Sequence, residues 1–139
     1  MAGIPESVRV LVAEGHLAHL VTMNRDGSPQ VSIVWMGARG GELVSGHLHE
    51  SLKVRNLRRD PRAVISMESG VVQPNGLQEH LVAHCTARVT EGGAAELLQE
   101  LAHVYLGPDV KFPPIEDPPP GFILRFTIDR VTGVGPWAD

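Results

Sequence analysis

Cysteine and aromatic residues are scarce in this sequence. Its 139 residues include one cysteine, Cys85, two tryptophans, one tyrosine and three phenylalanines. A single cysteine excludes an internal disulfide, and with it the disulfide-held folds of small secreted proteins. No apolar run approaches the roughly 18–20 residues that a helix needs to cross a bilayer. Residues 1–9 lack a basic start followed by an apolar block, so we expect no signal peptide, no membrane partner and a cytoplasmic location.

The chain also lacks an excess of positive charge and the common nucleotide motifs. It carries 12 basic and 16 acidic residues, for a formal net charge of −4. Because general nucleic-acid binding needs a broad basic surface, we expect no nucleic-acid partner. GxGxxG, P-loop and GxSxG patterns are absent from the sequence, which removes the usual arguments for a dinucleotide fold, a P-loop nucleotide site or a serine hydrolase.

The seven histidines do not form a recognisable metal motif. His47 and His49 would share one face of a strand, as paired ligands can, and Glu50 follows them. No cysteine or carboxylate pattern completes the set, so we predict polar residues at the mouth of a site and no metal. Cys85 lies in an alternating run, where a buried thiol is expected. No catalytic side chain can be assigned from the sequence.

The most distinctive segment is basic. Residues 51–62 contain five basic side chains in a protein that is acidic overall. Ser51 is suited to cap a helix, and the pair Asp60-Pro61 is suited to end it. Lys53 and Arg55 would then add positive charge to the positive end of the helix dipole, an arrangement that favours a bound anion such as phosphate. A solvated basic helix with Val54 and Leu57 facing inward explains the pattern equally well.

Short apolar runs separated by glycine- and proline-containing turns occupy most of the chain. We predict helices over residues 5–15, 51–60 and 94–105. Residues 37–41 are predicted to form a turn and residues 69–76 a loop. Hairpin-linked strands with few helices indicate a single domain, residues 1–139, built as an antiparallel barrel or sandwich. The predicted strands cover residues 17–23, 30–36, 42–46, 63–67, 81–90, 122–127 and 130–134.

Residues 108–120 contain six prolines, which predicts an irregular loop. A plain surface connection is the simpler interpretation of this segment. A rigid flap over a site is the alternative, because the many prolines would restrict its motion.

Three segments in order resemble a known family: residues 18–23 (AHLVTM), residues 26–35 (DGSPQVSIVW) and the Ser51-x-Lys53-x-x-Asn56-Leu57-x-x-Asp60-Pro61-Arg62 pattern. Together they resemble the pyridoxamine-5′-phosphate-oxidase-like, FMN-binding split-barrel superfamily, and within it the short actinobacterial branch that uses the deazaflavin coenzyme F420. The resemblance covers almost the whole chain. It implies a six-stranded antiparallel split β-barrel of Greek-key type and a homodimer with two cofactor sites at the interface.

The resemblance also implies which residues bind the cofactor. The phosphate would lie by the segment from Ser51 to Asn56, the ring along residues 32–35, and residues 45–47 would form the wall beside the ring. Trp137 would come from the other subunit. The implied cofactor-binding residues are Ser32, Ile33, Val34, Trp35, Ser45, Gly46, His47, Ser51, Lys53, Arg55, Asn56 and Trp137.

The resemblance therefore implies an oxidoreductase that transfers hydride from reduced F420 to an electron-poor small organic acceptor. An FMN-dependent oxidoreductase on the same fold is one alternative, since FMN also ends in a phosphate. A non-catalytic protein that carries a cofactor or another ligand is the second alternative, because no acid or base is evident. In each case the protein supplies binding and orientation, and the cofactor supplies the chemistry.

Overall fold

The computed structural model describes residues 3–138 as a seven-stranded antiparallel sheet with three helices, which confirms the predicted mainly β class. All three helices coincide with predicted helical segments to within two residues at either end. In chain order the elements are α1 (Glu6–Ala13), β1 (Ala18–Met23), β2 (Pro29–Val34), β3 (Gly37–Arg39), β4 (Glu42–His47), α2 (Leu52–Arg59), β5 (Arg62–Val72), β6 (Gln78–Glu91), α3 (Ala94–Tyr105) and β7 (Phe122–Val134).

The sheet is open but curls like a barrel. Its strand order is β2-β1-β5-β6-β7-β4-β3, so β2 and β3 lie at opposite edges. Only Trp35 and Met36 separate these two edge strands in the chain, so the sheet must curve until its edges approach each other. β4 pairs with β7 and not with β5, which is the crossover of a Greek key.

The strand count implied by the resemblance, six, is wrong for this chain. The additional strand is β3, which falls in the segment predicted as a turn. Gly40 and Gly41 make the turn by themselves, with Gly40 at φ +57°, so residues 37–39 are free to pair with β4. Two-residue turns with positive φ match the twist of a hairpin, and glycine adopts them without strain.

Two other sequence predictions need correction. The predicted loop over residues 69–76 is confirmed for residues 73–76 and wrong for residues 69–72, because β5 extends to Val72 and pairs again with β6 beyond a register shift. The two predicted final strands are one strand, β7. Its pairing with β6 passes from Arg130 opposite His84 to Ile128 opposite Cys85. Asp129 is therefore an extra residue in β7, and a β-bulge stands where the sequence suggested an interruption.

The core has two parts, one on each face of β4. Leu43 points into the curled sheet, where Leu20, Ile65 and Phe126 are fully buried. Val44 points to the other face and packs against α3. Because side chains alternate along a strand, Ser45 and His47 share the inner face with Leu43, and Gly46 faces α3. Only four residues separate His47 from α2, so the end of β4 lies beside the start of that helix.

No helix within residues 3–138 is both long enough and apolar enough to cross a bilayer.

Candidate anion and cofactor site

The start of α2 has unused hydrogen-bonding capacity. The carbonyl oxygen of Ser51 accepts the first helical hydrogen bond, from the N–H of Arg55 at 3.1 Å. The Ser51 side chain does not cap the helix. Its Oγ is buried, and it has no hydrogen-bond partner within residues 3–138. A buried hydroxyl without a partner is costly, so this atom marks a position where a ligand oxygen or nitrogen would be stabilised.

Lys53 lies in the first turn of the same helix and is half-buried. Burial disfavours the charged ammonium and lowers the pKa of Lys53. None of the ion pairs formed among residues 3–138 includes this side chain. An anion bound at the start of α2 would therefore meet a partly desolvated positive charge and a helix N-terminus.

His47 ends β4 on the approach to this helix. Its Nε2 lies 2.8 Å from the Oγ of Ser45, which is fully buried. Burial, and secondarily the charge of Lys53, lower the pKa of His47 from 6.5 to about 3. The imidazole is therefore neutral at neutral pH. In that state it can donate one hydrogen bond and accept another, but it does not act as a cationic acid.

A cleft of about 470 Å³ lies between α2 and the β1–β2 turn. Three arginines line it, Arg25 from the turn and Arg55 and Arg59 from the helix, with Asp26 as the acidic residue among them. Arg55 is exposed, and its Nη1 donates to the carbonyl oxygen of Glu50 at 3.0 Å. The remaining lining residues are Asn24, Leu52 and Asn56. Sequence reasoning missed the contribution of the turn, although Arg25 between Asn24 and Asp26 was a visible signal.

Asn56 is almost completely buried, at 1% exposure. Its Nδ2 donates to Thr22 Oγ1 and to Asn24 Oδ1, each at 3.0 Å. The side chain thus ties α2 to the end of β1 and to the following turn. Both of its amide protons are used within the chain, so any bound group would meet Asn56 only at the margin of the cleft.

β2 is an edge strand, so one side of its backbone is open. The N–H of Asn24 donates to the carbonyl of Ser28 at 2.8 Å, which makes these residues a hydrogen-bonded pair. Hydrogen-bonded and non-hydrogen-bonded pairs alternate along an antiparallel ladder. Val31 and Ile33 belong to non-hydrogen-bonded pairs with β1, so their backbone N–H and C=O groups point away from β1. The Ile33 side chain is 60% exposed, whereas Val34 is buried in the main core.

Trp35 follows β2 and belongs to an aromatic cluster. Its ring stacks on Tyr105 with centroids 5.4 Å apart and meets Phe112 at 5.0 Å. Phe112 lies in the proline-rich loop, and its N–H donates to Gln99 Oε1 of α3 at 3.1 Å. The loop is therefore held against α3 and Trp35 in this structure.

Gly46 packs against α3 and does not border the cleft. A Cβ added at this position would lie 3.2 Å from both the carbonyl oxygen of Ala94 and Cγ of Leu98. Contacts this short require the helix to move. The glycine therefore allows α3 to approach β4 closely.

Trp137 lies at a different end of the sheet. Its Nε1 donates to the carbonyl oxygen of His80, near the start of β6. At the end of β4, His47 pairs with Phe122 of β7, and Phe122 pairs with Glu91 of β6. Glu91 is eleven residues beyond His80 along β6. One chain therefore brings Lys53 close enough to His47 to lower its pKa, and Ser51 precedes Lys53 by two residues at the start of the same helix. These three residues do not line the arginine cleft, and Trp137 is not brought to them.

Among the described residues, 3–138, no group of three or more His, Cys, Asp or Glu side chains is placed to hold a metal ion.

No protein-family model matches the chain, and no curated protein matches it. Solved structures do. An F420 reductase is 22% identical with a TM-score of 0.71, over 93% of this chain and 98% of its own. The conserved hypothetical protein Rv2991 from Mycobacterium tuberculosis is 21% identical with a TM-score of 0.71, over 95% and 85%.

A protein of the pyridoxamine 5′-phosphate oxidase type from Listeria innocua is 14% identical with a TM-score of 0.67, over 93% of this chain and 96% of its own. These likenesses confirm the fold that the sequence resemblance implied: the chain has the fold of the pyridoxamine-5′-phosphate-oxidase-like split barrels, and that fold includes an F420 reductase.

Proposed function

We propose that this protein is an oxidoreductase that binds coenzyme F420 and uses it to reduce an electron-poor small organic molecule. The observation that carries the proposal is the buried Ser51 Oγ without a partner at the start of α2, two residues before the partly desolvated Lys53. A phosphate oxygen fits both groups, since it accepts from the hydroxyl and pairs with the ammonium.

In this proposal the chain holds the phosphate with Ser51, Lys53 and the free N–H groups of the first turn of α2. Arg55 and the other arginines of the cleft meet the negative charge that extends beyond the phosphate, such as an oligoglutamate tail. Asn56 acts by holding α2 against β1, because both of its amide protons are already used there.

The ring would lie along residues 32–35, where the open backbone groups of β2 can bond to its polar edge. Residues 45–47 would form a wall, with the neutral His47 supplying a hydrogen bond and Gly46 keeping α3 close. When bound, the reduced deazaflavin supplies the hydride that the acceptor receives. The residues of this chain bind and orient the two molecules, and no residue is assigned as a proton donor.

The proposal includes a homodimer of two split-barrel domains, with the cofactor sites at the interface between them. Two observations support it. Val31 and Ile33 are 59% and 60% exposed on the edge strand β2, and apolar side chains on an open edge favour association. Trp137 lies far from α2 in its own chain, so it reaches a cofactor only if a second copy presents it.

An FMN-dependent oxidoreductase is the second candidate, because its cofactor also ends in a phosphate and the Listeria innocua structure shares this fold. The order of the motifs at residues 18–23, 26–35 and 51–62, which resembles the F420-using branch, favours the deazaflavin. A non-catalytic ligand carrier is the third candidate and differs from both in binding a cofactor without turnover.

The test is a titration of the purified protein with oxidised F420 and, separately, with FMN, followed by tryptophan fluorescence. We expect micromolar or tighter binding of F420 and weaker binding of FMN. The reverse preference would favour FMN-dependent chemistry. Tight F420 binding without turnover across a broad panel of acceptors would favour the carrier.

The anion site is tested by Lys53→Ala. A charge-assisted hydrogen bond contributes on the order of 1.5–3 kcal/mol, so we expect F420 binding to weaken roughly 10- to 150-fold. Lys111→Ala is the matched control, since Lys111 is the only other lysine and lies in the proline-rich loop. Equal affinities for Lys53→Ala and the control would show that the phosphate does not bind at α2.

A further inference from the structure

Polar side chains, of which Asn56 and Thr22 are buried, connect α2 to the edge strand β2 through consecutive hydrogen bonds. Asn56 donates to Thr22 Oγ1 at 3.0 Å, and Thr22 donates to Gln30 Oε1 at 2.7 Å. Gln30 Nε2 then donates to Ser32 Oγ at 2.7 Å. At the beginning of the series, Arg59 Nη1 lies 3.4 Å from Asn56 Oδ1. We call these five residues the Arg59–Ser32 relay.

The chemistry of the relay fixes the direction of each bond. Arginine can only donate, so Asn56 turns its oxygen to Arg59 and its NH₂ group to Thr22. Thr22 is 0% exposed, and its oxygen already accepts from Asn56. Its hydroxyl proton finds its acceptor in Gln30 Oε1. Rotating the Gln30 amide by half a turn would leave that proton buried without an acceptor, which is unfavourable.

Ser32 is the end of the relay. Its oxygen accepts from Gln30, and no hydrogen bond among residues 3–138 uses its own proton. The side chain is half-buried on the inner face of β2, at the open edge of the sheet. Consecutive bonds that run in one direction polarise one another, so the Ser32 hydroxyl is a strengthened donor.

We propose that the Ser32 hydroxyl donates a hydrogen bond to the bound ring, so that the site selects a ring with a carbonyl oxygen or an unprotonated nitrogen at that position. This inference rests on the proposed function and adds a side-chain donor to the backbone groups of β2. Gln30 and Thr22 are positioning residues in it, because they act through Ser32 and do not touch the ring.

Gln30→Glu tests the direction of the relay with almost no change in shape. A carboxylate only accepts, so the Ser32 proton turns towards it and Ser32 presents a lone pair to the ring. We expect oxidised F420 to bind about tenfold more weakly at pH 7.5, as for one lost hydrogen bond, and Ser32→Ala to have a similar effect. At lower pH the introduced carboxyl group takes up a proton and donates to Ser32 again. Affinity relative to wild type should then recover for Gln30→Glu and remain reduced for Ser32→Ala.

Two controls separate the relay from other effects. Gln78→Glu introduces the same charge at an exposed glutamine and should bind F420 as wild type does. The neutral deazaflavin with its ribityl chain but no phosphate is the second probe. Gln30→Glu should weaken its binding by the same factor as that of F420, because this probe carries no negative charge that the new carboxylate could repel. Thermal melting of each variant verifies that it is folded.

The inference is overturned if Gln30→Glu binds both probes like wild type, or if its affinity does not recover on acidification. It is also overturned if Ser32→Ala has no effect on binding. These results are distinct from failure of the proposed function, in which the wild-type protein itself binds neither F420 nor FMN.

Discussion

Acidification should destabilise this protein through His47. The folded structure holds this imidazole neutral, because burial and the nearby Lys53 lower its pKa from 6.5 to about 3. Other charged groups near this end of β4 are Glu50 and Glu91, but both are engaged by Arg58, which also lies over the ring of Phe122. Protonation of His47 therefore meets little compensation in the folded state.

The sign and size of the effect follow from linkage. Above pH 6.5 the imidazole is neutral in both the folded and the unfolded chain, so its contribution to stability is complete. Below pH 6.5 the unfolded chain takes up a proton that the folded chain does not, and stability falls until the pH reaches about 3. At pH 5 the loss is about 1.5 pH units times 1.36 kcal/mol, or about 2 kcal/mol.

The measurement is urea denaturation at pH 7.5 and pH 5 for wild type and for His47→Gln, which can keep a hydrogen bond to Ser45. We expect His47→Gln to lose about 2 kcal/mol less than wild type on acidification. His49→Gln, two residues away at an exposed position, should keep the wild-type pH dependence. Equal pH dependence in wild type and His47→Gln would refute the reasoning, since the titrating group would lie elsewhere.

Two further predictions concern stability and reactivity. The Tyr105 hydroxyl donates to the carbonyl of His16 at 2.6 Å and accepts from the N–H of Met36 at 3.0 Å. Tyr105→Phe should therefore lower the free energy of unfolding, measured by urea denaturation, by about 1–3 kcal/mol. A loss below about 0.5 kcal/mol would contradict this prediction. Burial raises the pKa of the Cys85 thiol to about 12, so Cys85 should react with a disulfide reagent at pH 8 roughly a thousandfold more slowly in the folded protein than in urea. Similar rates in the two states would show that the thiol is accessible.

The helices were predicted well, because their start, end and apolar spacing are signals that lie within the helical segment itself. Ser51 and Asp60-Pro61 bounded α2, and the apolar spacing of residues 94–105 identified α3. The errors involve strand pairing across hairpin turns, where the turn is shorter than its turn-forming residues suggest. Residues 37–39 became a strand because β4 pairs with them, and residues 69–72 because β6 does. Turn-forming residues in the sequence do not indicate which strand lies opposite them.

For the site, composition and order alone identified the basic segment and the anion it would favour. What only the tertiary structure decided is the environment of each group. The curl of the sheet sets the end of β4 beside α2, and this burial makes His47 neutral, lowers the pKa of Lys53 and leaves Ser51 Oγ without a partner. Solvation and hydrogen-bond direction depend on atoms from several strands at once. Residue types and their spacing therefore determine which chemistry is available, and packing determines the charge and orientation of each group.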